Sequence, residues 1–269
     1  MHDPVGQTLF RTAVPTTIGA VAVILYYLAD TFFVSQLGTD ELAALGFTFP
    51  ATILITYFGV GLGIGTSALV ARAIGSNNLE KAREMTFASM MMGFLIGVAL
   101  IIPAIASIDL VFPLLGAAPE RLVLIEQFMS IWYLGMPFQL MQFSGTAAIR
   151  ASGNAKLHGK LMTMGAIINA VLDPMFIFGF GPIPAMGIGG AAMATVIAWI
   201  YTIVVICYAL CVKEKLLSFR MPPMSSLLAT WKDLLKISLP ASLANMITPI
   251  STGVITATLA TYGPKAVAA

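Results

Sequence analysis

The sequence predicts an all-α polytopic membrane protein, a six-helix N-terminal lobe followed by a seventh transmembrane helix. Three observations lead there. Of 269 residues, 58% are hydrophobic and only 10% charged, and the mean hydropathy is +0.92; soluble domains carry about 25% charged residues. The apolar residues form continuous runs long enough to cross a bilayer as helices, not the short alternating segments of a membrane barrel. The basic residues gather between alternate runs.

Seven spans follow in order: 10–37, 45–73, 85–108, 121–150, 159–180, 187–212 and 233–262. The first contains the run Val14 to Leu37 and leaves the membrane at Leu37. The second ends at the turn-forming Gly75-Ser76-Asn77-Asn78, and the fourth at Ala151-Ser152-Gly153-Asn154. The fifth contains the run Leu161 to Phe180 and gives way to Gly179-Phe180-Gly181-Pro182-Ile183-Pro184. The first run is too long for the apolar core of a signal peptide. The loop 213–232 is the longest and most polar, and marks a boundary between two halves. The domains expected are therefore a lobe over 1–212, a cytoplasmic inter-lobe loop over 213–232, and the first helix of an incomplete second lobe over 233–269.

Charge sets the orientation. Twelve of the 14 Lys and Arg fall on one side, in the groups around Arg11, Arg72 to Arg83, Arg150 to Lys160, and Lys213 to Lys236; only Arg121 and Lys265 fall on the other. Basic loops stay cytoplasmic, so the N-terminus is expected there. A net charge of only +2, spread over loops, gives no nucleic-acid surface. Cys207 and Cys211, four apart on one apolar helix, suit neither a disulfide nor a metal site and read as packing residues. His158 is expected to be solvated in a basic loop.

A shift of 225 residues aligns the start of the chain with its end. Arg11 meets Lys236, Pro15 meets Pro240, Thr31 meets Thr256, Gly38 meets Gly263, and Ala43-Ala44 meets Ala268-Ala269. Six spans separate the copies, so both run in the same direction, as parallel repeats do in several transporter folds. The expectation is one lobe plus one helix of a larger protein.

Asp30 and Asp173 are the residues that point to function. A carboxylate inside a membrane span costs at least ~2.5 kcal/mol and usually faces a cavity serving ions or substrates. Counting from the span ends at a rise of 1.5 Å puts Asp30, Asp173 and Thr195 about 10–12 Å below the outer surface. Asn169 lies one turn deeper than Asp173 on the same helix face. Pro174 has no N–H for the carbonyl of Ala170 and is expected to kink the helix. Two carboxylates, an amide, a hydroxyl and a freed carbonyl suit Na⁺, or a proton shared between acids. The competing reading makes each aspartate a structural acceptor tying helices together.

Tyr26 and Tyr27, one turn before Asp30, suit a lipophilic organic cation, and also suit plain packing. Gln139 and Gln142, three apart beside Pro137, are further candidates to face a substrate cavity. The 16 methionines are assigned to no site. Gly59-x-Gly61-x-Gly63-x-Gly65 lacks the strand and the Lys-Ser/Thr of a phosphate loop and reads as a close helix-packing face. No nucleotide motif occurs in the loops, so energy is expected from an ion gradient, with no cofactor.

Several stretches resemble the MATE multidrug and toxin extrusion transporters. They are Leu28-Ala29-Asp30-Thr31-Phe32-Phe33-Val34-Ser35-Gln36-Leu37-Gly38 with Leu42-Ala43-Ala44-Leu45-Gly46, Ala71-Arg72-Ala73-Ile74-Gly75, and Ile149-Arg150-Ala151-Ser152-Gly153-Asn154. Asn169-Ala170-Val171-Leu172-Asp173-Pro174 and the run Gly187 to Thr195 complete the set. The resemblance covers essentially the whole chain. It implies a twelve-helix, two-lobe fold in a prokaryotic inner membrane that exports organic cations in exchange for H⁺ or Na⁺. It also implies an ion site at Asp30, Asn169, Asp173 and Thr195. A lipid-linked flippase of related architecture, a non-transporting fragment or scaffold, and an intramembrane aspartyl protease are the alternatives. The protease lacks its Tyr-Asp and Gly-x-Gly-Asp contexts.

Overall fold

A computed structural model describes residues 5–218 and 221–260. Its helices are α1 (Val5–Ser35), α2 (Thr39–Gly75), α3 (Leu79–Ala106), α4 (Ile108–Leu114), α5 (Pro119–Ala151), α6 (Ala155–Ile177), α7 (Ile188–Tyr208) and α8 (Met224–Ala260), with a π-helical turn Ala209–Lys213 extending α7. Each of the seven expected spans corresponds to one long helix. The end of the seventh span and Arg220, Gly263, Lys265, Ala268 and Ala269 lie outside the described residues.

Packing is serial. Helix α1 lies on α6, α6 on α7, α7 on α5, and α5 on both α2 and α3; α8 lies along α2 and touches α3. Helix α5 is therefore central, with Met129, Met136 and Leu140 fully buried. Among the described residues, five helical stretches are each long and apolar enough to cross a membrane, and α5 is not one of them. Its neighbours shield it from lipid, so it tolerates Gln139, Gln142 and Ser144.

The glycine run of α2 serves two faces. A Cβ on Gly59 would strike the Phe143 ring, and one on Gly63 would lie 3.2 Å from the Phe143 carbonyl oxygen, both on α5. A Cβ on Gly61 would lie 2.7 Å from the Ser238 carbonyl oxygen and 2.8 Å from the Ser242 nitrogen, and one on Gly65 would meet the Ser238 hydroxyl, both on α8. Missing side chains let the backbones approach, as membrane helices require when no hydrophobic force draws them together.

Three details differ from expectation. A short helix, α4, caps the third span; Ile108 and Phe112 bury into a cluster with Ile125, Phe128 and Met129. Helix α8 starts at Met224, so the segment expected as loop is partly helical. Before it, Leu216 and Leu217 are buried, the Arg83 Nε donates to the Lys215 carbonyl at 2.7 Å, and the Asn154 Nδ2 donates to the Glu214 Oε1 at 2.8 Å. Finally, His158 is buried rather than solvated. Asn154 caps α6 by accepting from the Leu157 N–H at 3.0 Å, which places His158 in the first turn, beside the close approach of Gly159 to the Pro15 carbonyl of α1.

Candidate functional site

The connection from α6 to α7 positions the site. Helix α6 runs continuously through Pro174 to Ile177. Its last carbonyls are then taken up by the returning chain: the Met186 N–H donates to Phe176 at 2.9 Å and the Gly187 N–H to Ile177 at 3.1 Å. Gly187 turns the chain at φ +57°, a left-handed conformation that favours glycine. A Cβ on Gly190 would collide with the Phe176 carbonyl, so the first turn of α7 is drawn tightly against the last of α6.

This docking brings Thr195 of α7 opposite Asn169 of α6. The Asn169 Nδ2 donates to the Thr195 Oγ1 at 3.1 Å. From α1, the Tyr26 hydroxyl lies 3.3 Å from the same Thr195 oxygen. Asp30 and Asp173 stand one turn further along α1 and α6, on the faces that carry Tyr26 and Asn169. Helix α1 packs along α6, so the two acids lie on buried positions of helices in contact. The site therefore has two tiers, a hydrogen-bonded tier of Tyr26, Asn169 and Thr195, and an acidic tier of Asp30 and Asp173.

All four ion-site candidates are buried, Asp173 completely and Asp30 at 7% exposure. The Asp30 Oδ1, both carboxylate oxygens of Asp173 and the Asn169 Oδ1 have no hydrogen-bond partner among the described residues. Every one of these atoms is an acceptor when the acids are ionised. Such a set is costly to bury unless a proton or cation is supplied to it.

The helix ends alter the depth expected from the sequence. Helix α6 stops at Ile177 rather than Phe180, so Asp173 lies only four residues, about 6 Å, inside its end. Asn169 and Thr195 lie about 12 Å and 10 Å inside the adjoining ends of α6 and α7. The acids thus lie nearer the helix ends than Asn169 and Thr195, not level with Thr195.

The expected substrate residues separate. Tyr26 joins the ion-site candidates through Thr195. Tyr27 points elsewhere and is 49% exposed, its ring centre 4.7 Å from that of Tyr26 and tilted 39° to it. Gln139 belongs to the α2–α5 contact, where its Nε2 donates to the Thr56 Oγ1 at 3.3 Å. Among the described residues the Gln139 and Gln142 Oε1 atoms are buried without a partner, and no hydrogen bond joins either residue to the acids. Thr56, the partner of Gln139, was not anticipated; a lone threonine in an apolar run carries no local signal. No cluster of three or more His, Cys, Asp or Glu occurs among the described residues.

A family model described as MatE matches residues 15–175, a stretch that includes Tyr26, Asp30, Asn169 and Asp173. The chain belongs to the MatE family. It is 38% identical to a FAD transporter of Shewanella oneidensis over 269 residues, covering 100% of this chain and 60% of that protein. It is 31% identical over 239 residues to the probable multidrug resistance protein YoeA of Bacillus subtilis, covering 87% of this chain and 51% of that one. A crystal structure of a mutant of the Vibrio cholerae MATE transporter VcmN matches this chain with a TM-score of 0.90 at 30% identity, covering 97% of this chain and 58% of that one. The MatE chain thus spans little more than half the length of these relatives. They are transporters, not enzymes, and the aspartyl protease reading falls.

Proposed function

We propose that this MatE chain forms the N-terminal part of a cation-coupled antiporter exporting lipophilic or cationic organic compounds, with H⁺ or Na⁺ as the coupling ion. One observation carries the reading: acceptor oxygens of Asp30, Asp173 and Asn169 are buried without a partner among the described residues, on two helices, α1 and α6, that pack along each other. In this reading Asp30 and Asp173 bind the ion, and Asn169 and Thr195 add neutral oxygens. Tyr26 holds Thr195 in place. Tyr27, half-exposed on α1, is the proposed contact for an organic cation. The same reading places the chain in a prokaryotic inner membrane with its N-terminus cytoplasmic, on the distribution of Lys and Arg.

The test is efflux of a fluorescent organic cation from cells expressing the natural full-length protein. Asp30→Asn is expected to abolish efflux at unchanged membrane expression. Efflux at the wild-type rate would remove Asp30 from the mechanism.

The 38% identity to a FAD transporter favours a second reading, export of an anionic flavin dinucleotide. The acids then still serve the ion, and selectivity for the anion resides elsewhere. Release of FAD into the medium, compared with efflux of the organic cation, separates the two readings.

A further inference from the structure

Residues 214–217, which lead out of α7, fold back over the end of the lobe where α6 begins. The Glu214 N–H donates to the Ala209 carbonyl at 2.9 Å, and the Leu216 and Leu217 N–H groups both donate to the Leu210 carbonyl, at 2.8 Å and 3.2 Å. Leu216 and Leu217 are thereby set into a buried cluster with Val70 of α2, Ala82 of α3, Ile149 of α5 and Leu161 of α6. Lys215 turns at φ +53°, a left-handed conformation that a lysine keeps only where its surroundings impose it. Arg83 imposes it in part, by donating to the Lys215 carbonyl. The segment is a strap laid across four helices, not a loose connection.

Asn154 ties this strap to α6 with one side chain. Its Oδ1 accepts from the Leu157 N–H at 3.0 Å and caps the helix, which leaves its Nδ2 for the Glu214 Oε1 at 2.8 Å. A donor facing a carboxylate makes one of the stronger hydrogen bonds. Helix α6 has its large contacts with α1 and α7 and touches α5 only lightly. From its cap it runs unbroken for 23 residues, with Asn169 and Asp173 about 20–30 Å along its axis. Helix α1 rides on it, with Gly159 at the Pro15 carbonyl and Gly19 at Met162. A shift of α6 along or about its axis at the acids therefore appears at its cap.

We infer that Asn154 is a positioning residue that passes a displacement of the acid-bearing α6 to the 214–217 strap, and so to the chain leading out of the lobe. Its oxygen holds the helix and its amide N–H holds the strap, so one planar group obliges the two to move together. The inference goes beyond the ion-coupling reading. It rests on the geometry of α6 and the strap, and not on which ion the acids bind.

A link of this kind is established by coupling rather than by proximity. Hydrogen exchange in the natural full-length protein measures the coupling, with Asp173→Asn as the disturbance of α6. While the link is intact, Asp173→Asn is expected to shift exchange in the peptide covering 214–217 beyond replicate error. Asn154→Asp keeps an oxygen to cap α6 but has no N–H to give, and sets a carboxylate against Glu214. Strap exchange should then rise about tenfold or more and cease to respond to Asp173→Asn, while the first turn of α6 stays protected. Adding Glu214→Gln exchanges the amide and the carboxylate, so the hydrogen bond re-forms with its donor reversed, and both effects should disappear. Glu214→Ala cuts the link without altering α6, and carries the test if Asn154→Asp does not fold. In efflux, cutting the link should lower kcat at unchanged KM, and the exchanged pair should restore it. A strap that ignores Asp173→Asn while the link is intact would overturn the inference. So would one that responds as strongly after the link is cut, or an exchanged pair that restores nothing. Absence of efflux from the wild type would remove the exporter reading alone, because the exchange experiment needs neither ion nor substrate.

Discussion

Asp173→Asn isolates the ion site with almost no change of shape. Asp173 is fully buried, and neither carboxylate oxygen has a partner among the described residues. If a cation is held between Asp173 and Asp30, removing one charge breaks a buried pair, at a cost of about 3–5 kcal/mol. At 1.4 kcal/mol per decade that weakens ion binding about a hundredfold to a few thousandfold. The ion-free protein loses little, because the change removes a buried charge that lacked a partner. The two effects are separated by thermal melting in detergent over a Na⁺ series. At Na⁺ a hundredfold above its dissociation constant, the wild type gains about 2.7 kcal/mol of stability. With hundredfold weaker binding, the variant gains only about 0.4 kcal/mol at the same concentration. If H⁺ is the ion instead, Na⁺ stabilises neither protein, and cation efflux by the variant no longer varies with external pH. A variant that keeps both the wild-type Na⁺ stabilisation and the wild-type pH profile of efflux would refute the argument from unpartnered acceptors.

Three further outcomes follow from the geometry. Thr195→Val keeps the side-chain shape but removes the oxygen shared by Tyr26 and Asn169; the stranded Asn169 amide should cost about 1–3 kcal/mol, read as a lower melting temperature, with weaker ion binding. Gly61→Val places carbons against the Ser238 carbonyl and the Ser242 backbone nitrogen, neither of which can swing away; overpacking of about 1–3 kcal/mol should appear as reduced thermal stability, and a neutral melt would contradict the α2–α8 contact. Pro174→Ala restores an N–H for the Ala170 carbonyl in an α6 that is already continuous; turnover should slow more than substrate affinity weakens, measured as kcat against KM for cation efflux, and unchanged turnover would remove the proline from the transport cycle.

Much of the site was legible because its spacings are local. A four-residue step puts two side chains on one helix face, so the Asn169–Asp173 and Tyr26–Asp30 pairs could be read without a structure. The cost of burying a carboxylate made both acids stand out from their apolar runs. Gln139 shows where such reading ends. Its neighbour in the sequence, Pro137, suggested a cavity, yet its hydrogen bond goes to Thr56, which is 83 residues away and belongs to another helix. His158 fails for a similar reason. Its basic surroundings in the sequence suggested solvent, and only the seating of α6 on α1 buries it.

The sequence by itself determined the membrane class, the long helices, the family resemblance and the two acids, because hydropathy, turn residues and helical periodicity are properties of short stretches of chain. Only the tertiary structure decided which faces are covered. Tyr26 and Tyr27 are adjacent and chemically equal, but the rotation of α1 on α6 sends one to Thr195 and leaves the other half-exposed. The Tyr26–Thr195 contact joins residues 169 apart, and no periodicity encodes such a pairing. It depends on two successive packings, α1 on α6 and α6 on α7, each set by small residues whose consequence appears only when another helix lies against them.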